Sequence, residues 1–233
     1  MFKLKNLPKD RGFSMVEVLV SILVTTLFVT MTMQAVVIAT LFRVKSQESA
    51  EATNWIEEDL EQLKYQANSL EFPKTTLAAN ADAGATSVSI STPSNTANFS
   101  TNDKVKIGTD TTAYKITNVT GSGTSRTLTI TPALTTTQTS STTVSSLKMC
   151  SATSSTSGLA QELNSNLSAL SSSTKNIKGK GFTLTRTTTV SSDAPYNVLK
   201  VSYKVAPTST SESSVSVAKF YLEVIPNVAF QCP

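Results

Sequence analysis

Histidine is absent from this chain, and only two cysteines and one tryptophan occur in 233 residues. Without histidine the chain lacks the commonest general base and the commonest metal ligand. No Ser-His-Asp constellation can be assembled. No glycine-rich phosphate loop takes its place, and neither cysteines nor carboxylates cluster at metal-ligating spacing. The sequence therefore reads as a non-enzyme that needs no metal and no cofactor. Charge is also sparse, at 15% of residues, and it is unevenly placed.

The formal net charge is +4. Lys3, Lys5, Lys9 and Arg11 stand against Asp10 in the first twelve residues, so +3 of that charge sits in the leader. The sequence pI near 9.0 is thus no argument for a nucleic-acid partner. After the leader come residues 18–42, a run of 25 residues with no charged side chain. As a helix it would rise roughly 37 Å, enough to cross a hydrocarbon layer of ~30 Å with some tilt. The basic leader would hold the amino-terminal end in the cytoplasm, leaving the rest of the chain on the outer side. An ordinary secretory signal has a shorter apolar core, of roughly 7–15 residues. A plain single-span anchor accounts for the run and the leader, but not for Gly12, Phe13 and Glu17 at its mouth. An acid at the edge of a membrane helix is costly unless paired, and such residues are functional by default.

Gly12, then Phe13, then an acid five positions into the new chain, then an unbroken apolar helix: this order resembles the class III signal of type IV pilins and type II secretion pseudopilins. The resemblance is close over residues 11 to about 45 and looser to about 70. It implies that a membrane-bound prepilin peptidase cuts after Gly12 and methylates the new amino terminus at Phe13. It implies that Glu17 serves assembly by meeting the positive amino terminus of a neighbouring subunit, two charges neutralising each other at low dielectric. The partners so implied are the peptidase, other pilin subunits and the inner membrane. The precursor would be single-pass in that membrane with a cytoplasmic amino terminus. After assembly it would lie in an extracellular pilus or a periplasmic pseudopilus.

The apolar run is expected to continue as an amphipathic helix. Trp55, Ile56, Leu60, Leu63, Ala67 and Leu70 fall on one face. Glu48, Glu51, Glu57, Glu58, Asp59 and Glu61 are assigned to the other, and Pro73 ends the helix. Its full length would be roughly 85 Å. The predicted organisation is a leader over 1–12, a long helix over 13–72 with its membrane part at about 18–42, a β-rich insertion over 73–148 and a C-terminal sheet region over 149–233.

Within the insertion, short alternating runs at 86–91, 104–107, 113–119 and 127–131 predict strands separated by turn residues. The pattern is similar to a small β-barrel repeat of bacterial surface and phage-tail proteins; the other reading is a β-rich extension of the same domain. Residues 135–158 are dominated by serine and threonine and predict an exposed, flexible loop. Leu159, Leu163, Leu167 and Leu170 predict a short amphipathic helix, or a packed loop. Alternation at 182–190, 198–205 and 215–225 predicts three strands. They resemble the meander that packs on the long helix in pilins, so the expected fold class is α+β, the pilin fold with a β-rich insertion.

Two cysteines in an exported chain suggest one disulfide, Cys150 to Cys232, with two free thiols as the alternative. Closing a loop of about 80 residues stabilises by ~4 kcal/mol in the chain-entropy model. Lys175, Lys178, Lys180, Arg186, Lys200 and Lys204 gather against Asp193 alone. That group reads either as a polyanion contact or as a solvated sheet face. Sparse aromatic interleaving favours the second, so contact with DNA is not expected. The function expected is that of a minor pilin-like structural subunit, because a bulky insertion at every position would crowd a shaft. The alternatives are a type II secretion pseudopilin, or an adhesin or DNA-contact subunit of a pilus.

Overall fold

A computed structural model describes residues 12, 14–91, 99–121, 125–170, 173–209 and 215–233. The fold class is α+β: one long helix, α1 (Met15–Ser69), with two antiparallel sheets and a short helix, α2 (Leu159–Asn166). The chain divides into two compact units, Met1–Glu51 and Ala52–Pro233.

The first unit consists of α1 up to residue 51. Ser14 opens the helix. Its hydroxyl accepts the Val16 N–H at 3.3 Å, and its carbonyl accepts those of Glu17 and Val18. Ser14 and Glu17 stand at the spacing of a capping box, and an acid in the first turn complements the helix dipole. Every large apolar side chain from Met15 to Phe42 is exposed. Hydroxyls within this apolar stretch are satisfied by their own helix: Ser21 donates to the Glu17 carbonyl at 2.7 Å, Thr25 to Ser21 at 2.7 Å and Thr30 to Thr26 at 2.6 Å. Such back-bonding lets polar side chains sit in hydrocarbon without an orphaned donor. Among the described residues, this is the one helix long and apolar enough to cross a membrane, with a mean hydropathy of 2.1 over its best window.

The second unit holds the remainder of α1 and both sheets. Its four-stranded sheet comprises β7 (Thr174–Ile177), β8 (Lys180–Val190), β9 (Leu199–Pro207) and β10 (Ala218–Val224), ordered β10-β9-β8-β7. Alternation along β9 is clean: Leu199, Val201, Tyr203 and Val205 are buried, while Ser202 and Lys204 face solvent. The buried faces of β8 and β9 share one core with Ala52, Trp55, Ile56, Leu60, Leu63 and Ala67 of α1, with Leu70 packed at its edge. The helical stripe read from the sequence is the seam of this core.

Two acids assigned to the solvent face, Glu48 and Asp59, are instead buried. Asp59 accepts two hydrogen bonds from the Arg186 guanidinium, at 3.1 and 2.9 Å, and one from the Tyr203 hydroxyl at 2.6 Å. The other guanidinium nitrogen of Arg186 donates to the Ser168 carbonyl. Burial, and then the Asp59 carboxylate beside it, push the Tyr203 phenol well above its ordinary range. A buried carboxylate is tolerated here because a charged partner and a hydroxyl satisfy it.

The six-stranded sheet contains β1 (Lys74–Thr76), β2 (Ser87–Ser91), β3 (Lys104–Ile107), β4 (Tyr114–Thr120), β5 (Ser125–Thr131) and β6 (Thr143–Ser146), ordered β1-β6-β3-β4-β5-β2. Its two ends meet through a Leu77–Ile90 bridge and an Ala78 N–H to Ser89 carbonyl bond of 2.8 Å. Among the described residues, the sheet thereby closes into a small barrel. Val88, Ile90, Val105, Ile107, Ile116, Leu128, Ile130 and Val144 belong to a core distinct from the one under α1.

Residues 135–158, expected as a flexible loop, contain β6 and a 3-10 turn at Lys148–Ser151. Val144 and Leu147 are buried there. Backbone pairing of β6 with β1 and β3 supplies the order that the side chains of this stretch do not announce. Phe72, Leu147, Leu159 and Val228 form a third cluster, and Cys150 and Cys232 pack against it. The two cysteines are joined in a disulfide across 82 residues.

A polar clasp fixes one barrel turn. Asp110 accepts hydrogen bonds from Thr135, from the hydroxyl of the buried Tyr114, and from the Thr112 N–H at 2.9 Å. These donors, Thr135 foremost, hold the Asp110 carboxyl well below the usual carboxylate range. A depressed folded-state pKa contributes stability above the unfolded value of about 3.9, and that stability is lost as pH falls toward the folded value. An Asp110→Asn chain is expected to be less stable than its parent at pH 6. The gap should narrow below about pH 4, as read from denaturant midpoints at the two pH values.

Candidate processing and assembly site

The residues singled out at the amino-terminal end lie at the head of α1. Gly12 is exposed, and a Cβ built on it would meet nothing within 4 Å. The chain's own fold therefore makes no demand for glycine here. A requirement for it must come from something outside the chain that approaches the backbone closely. Phe13 lies outside the described residues. Glu17 occupies the first turn of α1 and is exposed. Ser14, Val20 and Ser21 stand three or four residues from it on the same face, while Met15, Val16, Val18 and Leu19 are exposed around the rest of this turn. The helix N-terminus favours this carboxylate, and in a membrane water at the interface or an opposite charge brought by another molecule would stabilise it further.

Of the predicted site residues, Cys150 and Cys232 are brought together, and they belong to the second unit. The six clustered cations of the C-terminal region do not form one bare face. Arg186 is engaged by Asp59 inside the core, and Lys200 approaches Glu223 at 3.9 Å. The Asp59–Arg186–Tyr203 group is not legible in the sequence, since Asp59 lies more than a hundred residues from both partners. Two signals were available: an acid on the apolar stripe, four residues from both Trp55 and Leu63, and a basic residue at an inward position of β8, between Leu184 and Thr188. Among the described residues, no three His, Cys, Asp or Glu side chains converge as a metal site.

A family model described as the prokaryotic N-terminal methylation motif matches residues 7–33. No curated protein and no solved structure matches the chain. The matched stretch takes in Gly12, Phe13, Glu17 and more than half of the apolar run. The long amino-terminal helix followed by antiparallel sheets is consistent with the pilin fold. Residues 7–33 thus match the prokaryotic N-terminal methylation motif, in register with the signal that the sequence resembles.

Proposed function

We propose that this chain is a minor pilin-like structural subunit, cut after Gly12, methylated at Phe13 and assembled into a filament through its amino-terminal helix. The observation that carries the reading is the register of Gly12, Phe13 and Glu17 at the head of an exposed apolar helix, inside the methylation motif. Its work is mechanical and positional rather than catalytic. The precursor waits in the inner membrane with its basic leader in the cytoplasm. The prepilin peptidase and neighbouring pilin subunits are its partners.

The barrel supports the minor role. It adds a second folded body to the pilin-like layer of helix and sheet, and such a body repeated at every position would crowd a filament. Its two ends are adjacent: the Ser146 N–H donates to the Pro73 carbonyl at 2.8 Å, and Lys74 lies opposite Ser145. It also has its own apolar core. Both features support reading residues 73–148 as a side module inserted between the long helix and the C-terminal sheet. A chain joined from Phe72 to Leu147 by a short Gly/Ser linker is expected to stay folded, to be processed and to enter filaments. Surface attachment made by this subunit should fall. Circular dichroism melts, together with immunodetection in sheared filaments and an adhesion assay, read the three outcomes. Collapse of the remaining fold would mean that the barrel is part of the pilin layer. Absence of the parent chain from every filament fraction would overturn the functional reading itself.

A further inference from the structure

β10 is an edge strand: among the described residues it pairs with β9 alone. Its sequence runs Lys219, Phe220, Tyr221, Leu222, Glu223. Register with β9 assigns the faces. Phe220 lies opposite the buried Tyr203 and Leu222 opposite the buried Val201, so both point to the core side. Lys219, Tyr221 and Glu223 lie opposite Lys204, Ser202 and Lys200, on the outer face. Yet Phe220 is 44% exposed, although its face belongs to the core, and Tyr221 is 58% exposed. Like charges also meet directly across β9 and β10 at Lys204 and Lys219, which is unfavourable without a nearby acid. An edge with exposed aromatics and unpaired backbone groups is a template for another strand.

We propose that β10 pairs antiparallel with β10 of a second copy of this chain, about a two-fold axis at Tyr221, to make one continuous eight-stranded sheet. The strand is complementary to itself in that register. Lys219 falls opposite Glu223 of the second copy, Phe220 opposite Leu222, Ala218 opposite Val224, and Tyr221 opposite itself. Moving the axis by one residue along the strand removes the Lys219–Glu223 match. Phe220 would be covered by an apolar neighbour in the same row as Tyr203 and Val201. Lys219 would gain an acid, since Glu223 is exposed and, among the described residues, is held by the Tyr221 hydroxyl at 3.1 Å and approached by Lys200 at 3.9 Å. An axis perpendicular to the sheet keeps core face with core face and outer face with outer face. Such a contact is isologous: it closes at two copies and cannot propagate. It is therefore distinct from filament assembly and does not rest on the amino-terminal reading.

The test uses the full chain in detergent, with a cysteine introduced at the axis. Paired residues in an antiparallel ladder have Cα atoms about 4.5–5.5 Å apart, within disulfide reach. Tyr221→Cys should give a disulfide-linked dimer under mild oxidation, and peptide mapping should find 221 joined to 221. Thr185→Cys is exposed on the outer face of β8. In the proposed dimer its two copies would be five strand spacings apart, roughly 24 Å, so it should not cross-link. The Tyr221→Cys yield is expected to exceed that of Thr185→Cys by about tenfold. Adding Lys219→Glu sets acid against acid at both ends of the strand pair and should cut the yield by about tenfold. Adding Glu223→Lys to that variant should restore it. Equal yields from the two cysteine variants would overturn the proposal. So would a charge reversal without effect, or one that the swap fails to rescue.

Discussion

A Glu17→Ala chain is expected to enter the membrane and be cut after Gly12 like its parent, yet to appear in filaments at least about tenfold less, the equivalent of ~1.4 kcal/mol. Insertion should not suffer, because the substitution removes an exposed charge from an otherwise apolar surface. Cleavage should not suffer either, since the backbone at Gly12 is open and Glu17 lies five residues beyond it in the chain. On the proposed reading, assembly is the step that requires the carboxylate. A charge moved into a low-dielectric bundle is tolerated when an opposite charge meets it, and in the proposed assembly that charge is the amino group of a neighbouring subunit. Glu17→Gln should behave nearly as badly, because it keeps the shape and loses the charge. Sheared filaments probed for the variant, with membrane levels as reference, give the ratio. Normal incorporation of Glu17→Ala would show that the pairing is dispensable, or that this subunit occupies the tip.

The second large effect falls on folding. Asp59→Ala leaves the Arg186 guanidinium, only 12% exposed, without its carboxylate, and the Tyr203 hydroxyl without its acceptor. Breaking a buried pair from one side costs about 3–5 kcal/mol. For a unit of this size each kcal/mol lowers the melting temperature by roughly 2–4 °C, so a fall of about 10 °C is expected. Removing both charges with apolar residues of similar volume, as in Asp59→Leu with Arg186→Met, should recover most of it, because no unpaired ion remains. Melts of the full chain in detergent measure both. If the double variant is as damaged as the single one, the loss comes from packing or from Tyr203 rather than from an orphaned charge.

What could be read in advance divides along physical lines. The amino-terminal signal was legible because glycine, aromatic, acid and apolar run are all sequence-local. The stripe from Trp55 to Ala67 was legible because helical period is local too, and β3 and β9 showed themselves by alternation. Three strands did not: β1, β6 and β7 are each three or four residues long. The hydrophobic residues they bury are Val144 in β6 and Ile177 in β7, while β1 buries only Thr75. Their order comes from backbone pairing with strands distant in the chain, and composition carries no trace of that. A small β-barrel was one of the two readings of this stretch, but the contact that closes it, Leu77 on Ile90, was hidden for the same reason. Asp59 was misassigned because its charge outweighed its place: it stands four residues from both Trp55 and Leu63, on the stripe itself. The partners that make a buried acid tolerable there, a guanidinium and a phenol from β8 and β9, are distant in the chain.

Everything said of assembly depends on where the mature chain begins. Intact mass and amino-terminal peptide analysis of the chain extracted from the membranes of its own host test this directly. The account predicts a chain that has lost residues 1–12 and begins at Phe13, one methylene heavier than the bare sequence from its amino-terminal methyl group. A chain that retains Met1, or begins at any residue other than Phe13, would contradict it.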